Sequence, residues 1–170
     1  MVLLIDPTDI AQIKLTPREV IEAVESAYRQ DGLGKAEDTP RFEIKIKGKH
    51  LPHIAPGTTS VGQGMAYLEE SKVFIISHAF HFDFHKYVNQ IRDPETGETK
   101  AIIQRTRGAF GTKPGEIDSG MLRTGAAAAI GAKYMANKEI EAVGIIGTGR
   151  IGRGSLVCLE EAISFDKVYT

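Results

Sequence analysis

Residues 142–154 read Ala-Val-Gly-Ile-Ile-Gly-Thr-Gly-Arg-Ile-Gly-Arg-Gly, so Gly147, Gly149 and Gly152 stand in G-x-G-x-x-G spacing directly behind an apolar run. Each glycine has its own physical task. The first permits a tight turn out of a strand, the second lets backbone approach a pyrophosphate, and the third lets a helix pack close to the strand. The helix then aims its N-terminal amides and its dipole at the phosphates. The implied chemistry is dinucleotide binding by Gly147, Thr148, Gly149, Arg150, Ile151 and Gly152, with NAD or NADP as the cofactor. A second chemical signal is Arg123-Thr124, near the start of the small-residue stretch 119–136. With Ser119 as cap, the pair is expected in the first helical turn, where free amides already favour an anion. An arginine there adds a planar fork suited to a carboxylate or phosphate. A solvated helix arginine is the plainer alternative.

The elements around the glycines strengthen the first signal. Glu141 to Ile146 is short, apolar and β-branched, as in a buried parallel strand. Ser155 to Ile163 has helical spacing with Leu156, Leu159 and Ile163 on one face, and Lys167 to Thr170 begins a second strand. Without that context a glycine-rich loop with no ligand would be the default. The acidic residue that binds ribose hydroxyls about 20 residues later falls at or past Thr170. Asp166 precedes the second strand, so it is expected at the other end of the sheet as a surface turn residue. NAD and NADP therefore stay open. Sixteen residues follow Gly154, so the unit is expected to be a truncated one whose exposed sheet needs cover from another chain or subunit.

The front of the chain is organised differently. Val2 to Ile5 reads as a short strand, and Thr16-Pro17-Arg18-Glu19 follows the capping-box pattern. Val20, Ile21, Val24, Ala27 and Tyr28 form a helical stripe ending near Asp31-Gly32. Phe42 to Lys47 alternates with period two up to a Gly48-Lys49 turn, and Val73 to Ile76 is a buried-strand candidate. Tyr87 to Ile91 and Ala101 to Ile103 flank 93–98, a turn between antiparallel strands. The fold class is α/β with an α+β N-terminal portion: an α+β domain over 1–118, then a linking helix and the first strand–helix–strand of an incomplete Rossmann-type unit over 119–170.

Composition excludes some partners. With a formal charge of −1 there is no electrostatic case for nucleic acid or an anionic membrane. No apolar stretch reaches the roughly 20 residues of a membrane span, and no basic-then-apolar leader opens the chain. The one cysteine, Cys158, forms no internal disulfide and fits a reducing cytoplasm; it reads as a packing residue. His78, His81 and His85 offer spacings that suit a metal on a helix. Aromatic packing or substrate contact is preferred there, and no metal is expected.

Leu122-Arg123-Thr124-Gly125-Ala126-Ala127, Ala132-Lys133-Tyr134 and Gly144-Ile145-Ile146-Gly147-Thr148-Gly149, in that order, resemble the ornithine cyclodeaminase/μ-crystallin family. The Thr39-Pro40-Arg41 segment and the Asp93-Pro94-Glu95-Thr96-Gly97 turn are similar in kind, extending the resemblance over the whole chain. It implies an N-terminal substrate and dimerisation domain joined to a Rossmann domain. It also implies NAD(P)-dependent chemistry on a small amino acid or cyclic imine, as in ornithine cyclodeaminases, ketimine reductases and alanine dehydrogenases. Carried over by position, Arg123 and Arg41 would bind the substrate carboxylate and Thr124 would sit by the cofactor. Lys72 would be the active-site lysine, also touching substrate and moving protons if burial lowers its pKa.

The segments 106–118 and 80–85 depart from the family pattern. The catalytic aspartate of cyclodeaminases would lie beyond Thr170, so the chain alone is expected to lack amino-acid-dependent turnover. Three readings follow: an enzyme of amino-acid or imine metabolism, a non-catalytic dimerising remnant, and the dinucleotide-binding half of a split enzyme. The expected assembly is a homodimer or a complex with a second chain.

Overall fold

In the computed structural model, which describes residues 1–40, 42–45, 60–81, 85–106 and 119–170, the capping box forms at the start of helix α2 (Pro17–Gly32). Glu19 N donates to Thr16 Oγ1 at 3.2 Å, and Thr16 N donates to Glu19 Oε2 at 2.8 Å, so two amides left orphaned by the helix start are satisfied reciprocally. A second cap of the same logic precedes it. Asp6 Oδ1 accepts from Thr8 N and Asp9 N at 2.7 and 3.0 Å, starting helix α1 (Pro7–Gln12) after strand β1 (Leu3–Ile5). These amides hold the Asp6 carboxyl below its usual range.

The chain divides into two units, Met1–Gln12 with Gln30–Ala109 and Ile13–Arg29 with Phe110–Thr170. Most of α2 therefore belongs to the second unit, although sequence order sets it among the N-terminal elements. The first unit is a sheet of β1, β2 (Ala36–Asp38), β3 (Phe42–Lys45), β4 (Ser60–Leu68), β5 (Val73–His81), β6 (His85–Arg92) and β7 (Thr99–Thr106). Its order is β1-β7-β6-β5-β4-β2, with β3 also on β4; β1 runs parallel to β7 and every other pairing is antiparallel. β2 and β3 share one edge of β4. Between them Thr39 exchanges bonds with Met65, and Pro40, which has no N–H to give, falls where the pairing passes from one strand to the next. α1 buries Ile10 in this unit.

The 93–98 turn forms as the sequence predicts. Asp93 Oδ1 accepts from Glu95 N and Thr96 N at 2.9 and 3.1 Å, and Gly97 takes φ +73. The Lys100 ammonium, 2.8 Å from Asp93 Oδ2, leads these donors in pulling the Asp93 carboxyl down to about 2. A carboxyl whose folded pKa is depressed contributes stability above its unfolded value, and that contribution is lost as pH falls through the folded value. Asp93→Asn should thus lower the urea midpoint at neutral pH, and the gap from wild type should close between about pH 4 and 2. Urea titrations at pH 7 and pH 2 check this; a gap unchanged by acid would contradict it.

The second unit is built on a close helix crossing. Helices α3 (Ser119–Met135) and α4 (Arg150–Ala162) meet at glycines: a Cβ on Gly125 would stand 2.3 Å from Gly154 O, and one on Gly154 would stand 2.8 Å from Met121 Cβ. The small residues of α3 let the α4 backbone come this close. Leu122, Ala126, Ala129 and Ile130 bury against Cys158 and Leu159 of α4 and Ile21 of α2. Cys158 packs fully buried with Sγ 3.5 Å from Leu122 O, and burial pushes its thiol up. α2 is tied to the far end of α3 through Glu25, which accepts from Lys133 Nζ at 2.7 and 3.0 Å and from the Tyr134 hydroxyl. Lys133 draws the Glu25 carboxyl down, while Glu25 raises both partners. The Lys133-Tyr134 signature thereby has a structural task in this unit.

Strands β8 (Ala142–Gly144) and β9 (Lys167–Tyr169) pair in parallel on either side of α4. β8 is shorter than the 141–146 strand the sequence predicts. Ile145 N still donates to Tyr169 O at 2.8 Å, but Ile146 is fully exposed and the chain turns at Gly147. Asp166 lies at the opening end of β9, its N–H on Glu141 O, away from the glycines.

Candidate functional site

The glycine turn has the geometry its spacing implies. Gly147 takes φ +95, a left-handed conformation that a side chain would resist, and so turns the chain out of β8. A Cβ on Gly152 would lie 2.1 Å from Gly147 O and 3.3 Å from Ile145 Cγ2, so the first turn of α4 is seated directly on the end of the strand. Gly149, between them, has no atom of the described residues within 4 Å of a built Cβ. It is also the N-cap of α4, and no side chain caps the helix amides there. Absent side chains and uncapped amides are what a pyrophosphate needs, so the residues fit a dinucleotide. Thr148 is exposed, Arg150 half-buried, and Ile151 exposed.

Arg123 and Thr124 are brought close to this turn by the helix crossing. Thr124 immediately precedes Gly125, which abuts Gly154, two residues after Gly152. The expected first-turn placement is corrected. α3 already begins at Ser119, so the pair lies in the second turn, past the free amides, and Thr124 Oγ1 donates back to Gly120 O at 3.0 Å. Arg123 is exposed. An anion held there would therefore depend on the guanidinium and not on neighbouring amides.

Lys72 belongs to the other unit, in the tight turn between β4 and β5. Its φ is +48, left-handed for a non-glycine residue, and its N–H closes the turn on Glu69 O at 3.1 Å. The turn is fastened from beneath by Gln30. This fully buried residue donates from Nε2 to Ser71 Oγ at 3.1 Å and accepts Glu70 N on Oε1 at 2.9 Å. Gln30 escaped the sequence reading, since a lone glutamine at a helix end carries no pattern. The Lys72 ammonium stands 3.5 Å from Glu95 Oε1, and both side chains are about three-quarters exposed. The burial expected of a proton-transferring lysine is not provided within this unit. Arg41 lies outside the described residues. His78 lies on β5 opposite Val88 of β6, and β5 and β6 span His81 and His85 with 82–84 outside the described residues. The helix that could have gathered a metal from these spacings is therefore not formed. Among the described residues no helix is long and apolar enough to cross a membrane.

The chain superposes on the iminosuccinate reductase of Paracoccus denitrificans in complex with NAD+, with TM-score 0.77, 21% identity and 98% of this chain on 48% of that one. It superposes on an archaeal alanine dehydrogenase dimer with bound NAD, with TM-score 0.75, 22% identity, 98% on 47%. For the Δ1-pyrroline-2-carboxylate reductase of Thermococcus litoralis in complex with NADH and L-proline the values are 0.71, 25%, and 98% on 48%. The chain thus spans about half the length of these structures. Among curated proteins no sequence matches. The fold is that of NAD-bound structures, and the family model for ornithine cyclodeaminase and mu-crystallin matches residues 4–170. This chain belongs to the ornithine cyclodeaminase/mu-crystallin family.

Proposed function

We propose that this chain supplies the phosphate cradle and substrate-holding residues of an NAD(P)-dependent enzyme of amino-acid or imine metabolism. The observation that carries the proposal is the packing of the Arg123-Thr124 helix against the helix that opens at the glycine turn, through Gly125 and Gly154. It supports the reading because the Arg123 guanidinium and the glycine turn then belong to one unit. When bound, the nicotinamide supplies hydride acceptance or donation. The chain's own residues hold and orient: the open backbone at Gly149 and the α4 amides receive the pyrophosphate, and Thr124 lines the cofactor side. Arg123, with Arg41, fixes the substrate carboxylate, and Lys72 carries protons once its surroundings are desolvated. The relatives' iminosuccinate, proline and alanine chemistry supports a small amino acid or cyclic imine as substrate. The dimer described for the archaeal relative supports a homodimer. Cytoplasmic residence and a cyclodeaminase, and hence lyase, outcome belong to the same proposal.

A second reading, a dinucleotide-binding module or non-catalytic remnant, draws support from the exposure of Lys72. Ligand-detected NMR separates the two, with a panel of small amino acids and cyclic imino acids added to the chain with and without NADH. We expect NADH and at least one panel member to bind. Arg123→Gln should weaken the latter about tenfold or more, the size of a lost charge-assisted hydrogen bond, and leave NADH unchanged. NADH binding with no response from any panel member would favour the module.

A further inference from the structure

A different cleft, wholly inside the sheet unit, is built to receive a ligand. It encloses about 590 Å³ at the end of the sheet where the 69–72 and 93–97 turns emerge, within the range of small-molecule sites. Its floor is a row across three strands: Tyr67 on β4 faces Phe74 on β5, and Phe74 faces Arg92 on β6. Residues directly opposite in a sheet share a face, so two flat aromatic side chains and a guanidinium lie side by side. The sheet is irregular at this place and nowhere else in the β6–β7 pairing. The register shifts between Ile91 and Arg92, and such bulges re-aim a side chain beside a site.

The guanidinium is under-used. Arg92 Nη2 reaches Gln90 Oε1 at 3.3 Å, but Nε is buried and has no hydrogen-bond partner among the described residues. A buried N–H without an acceptor is costly and calls for an explanation. The nearby acids do not supply the missing acceptor. Asp93 is held by Lys100 at 2.8 Å and Glu95 by Lys72 at 3.5 Å.

We infer that this cleft binds a small, flat monocarboxylate, its carboxylate accepting from the Arg92 guanidinium and its body lying on Tyr67 and Phe74. Asp93 and Glu95 are each paired with a lysine, and Arg92 is paired with no carboxylate among the described residues. Glu69 and Glu95 at the rim would repel a second carboxylate, so the site selects a single negative charge. The inference needs neither dinucleotide nor the glycine turn, and it shares only Lys72 with the proposed function.

The test titrates the full chain, without dinucleotide, with benzoate, benzamide and benzylamine by saturation-transfer NMR. Benzoate should bind at least about tenfold more tightly than its neutral isostere, as a charge-assisted hydrogen bond requires. Arg92→Gln should abolish that preference while the thermal unfolding profile is retained. Equal binding of benzoate and benzamide, no binding of benzoate, or tighter binding of benzylamine would overturn the inference on the wild-type chain alone, whatever the variant's folding. Benzoate binding unaltered in a folded Arg92→Gln variant would also overturn it.

Discussion

Replacing Gly152 with alanine should weaken dinucleotide binding about 100-fold. The added methyl group would stand 2.1 Å from Gly147 O and 3.2 Å from Gly147 C, and both atoms are backbone of the turn itself. Neither can yield by a rotamer change, so the first turn of α4 must lift from the end of β8 and take its amides with it. Overpacking of this kind costs about 3 kcal/mol, and if that falls on the bound conformation it is a loss of about 100-fold in affinity. Gly149→Ala is the informative partner. Its methyl group meets nothing within 4 Å among the described residues, so the fold should be untouched while the space proposed for the pyrophosphate is filled. Thermal unfolding and NADH fluorescence titrations distinguish the two. Gly152→Ala should lower both stability and affinity, and Gly149→Ala affinity alone. Wild-type NADH affinity in Gly152→Ala would show that the turn is not the cradle.

Gly125 carries the second large effect, on stability. A methyl group there would lie 2.3 Å from Gly154 O, 2.6 Å from Gly154 C and 2.8 Å from Ser155 N. Two helix backbones touch, so the helices must separate and open the core of Leu122, Ala126, Cys158 and Leu159. Gly125→Ala should cost about 3 kcal/mol, a large part of the roughly 5–15 kcal/mol that holds a domain together. Gly125→Val should leave the unit unfolded. Gly131 on the same helix is the control. Its added methyl group meets only Met135 Cε, at 3.3 Å, a flexible end that can move aside. Gly131→Ala should then be neutral or stabilising by up to about 1 kcal/mol through helix propensity. Urea denaturation of the two variants checks the contrast; equal effects would show that the crossing is not tight.

These sites differ in how far the sequence reveals them. Local chemistry was legible: the Thr16–Glu19 box, the Asp93 turn, the tight turn at Gly147 and the close packing at Gly152 all depend on residues a few positions apart, and each is formed. The small-residue stretch of α3 was legible in the sequence, and the structure shows that α4 is what packs closely on it. Strand β4 was not. Gly62 and Gly64 interrupt its alternation, and the strand is held by partners on both sides. The assignment of Ile13–Arg29 to the second unit depends on Ile21 meeting residues a hundred positions later. Arg92 and Gln30 went unnoticed for the same reason. Their significance lies in what stands across the sheet or beneath a turn, and neighbours in sequence carry no trace of it. The spacings of His78, His81 and His85, which would suit a metal only on a helix, fall on two paired strands.

The central claim is that the Gly147–Gly152 turn is a working dinucleotide cradle. Calorimetric titration of the wild-type chain with NAD and with NADP tests it most directly. The account predicts saturable one-site heat with at least one of the two, together with a raised unfolding temperature in its presence. No heat and no thermal shift with either dinucleotide would contradict it.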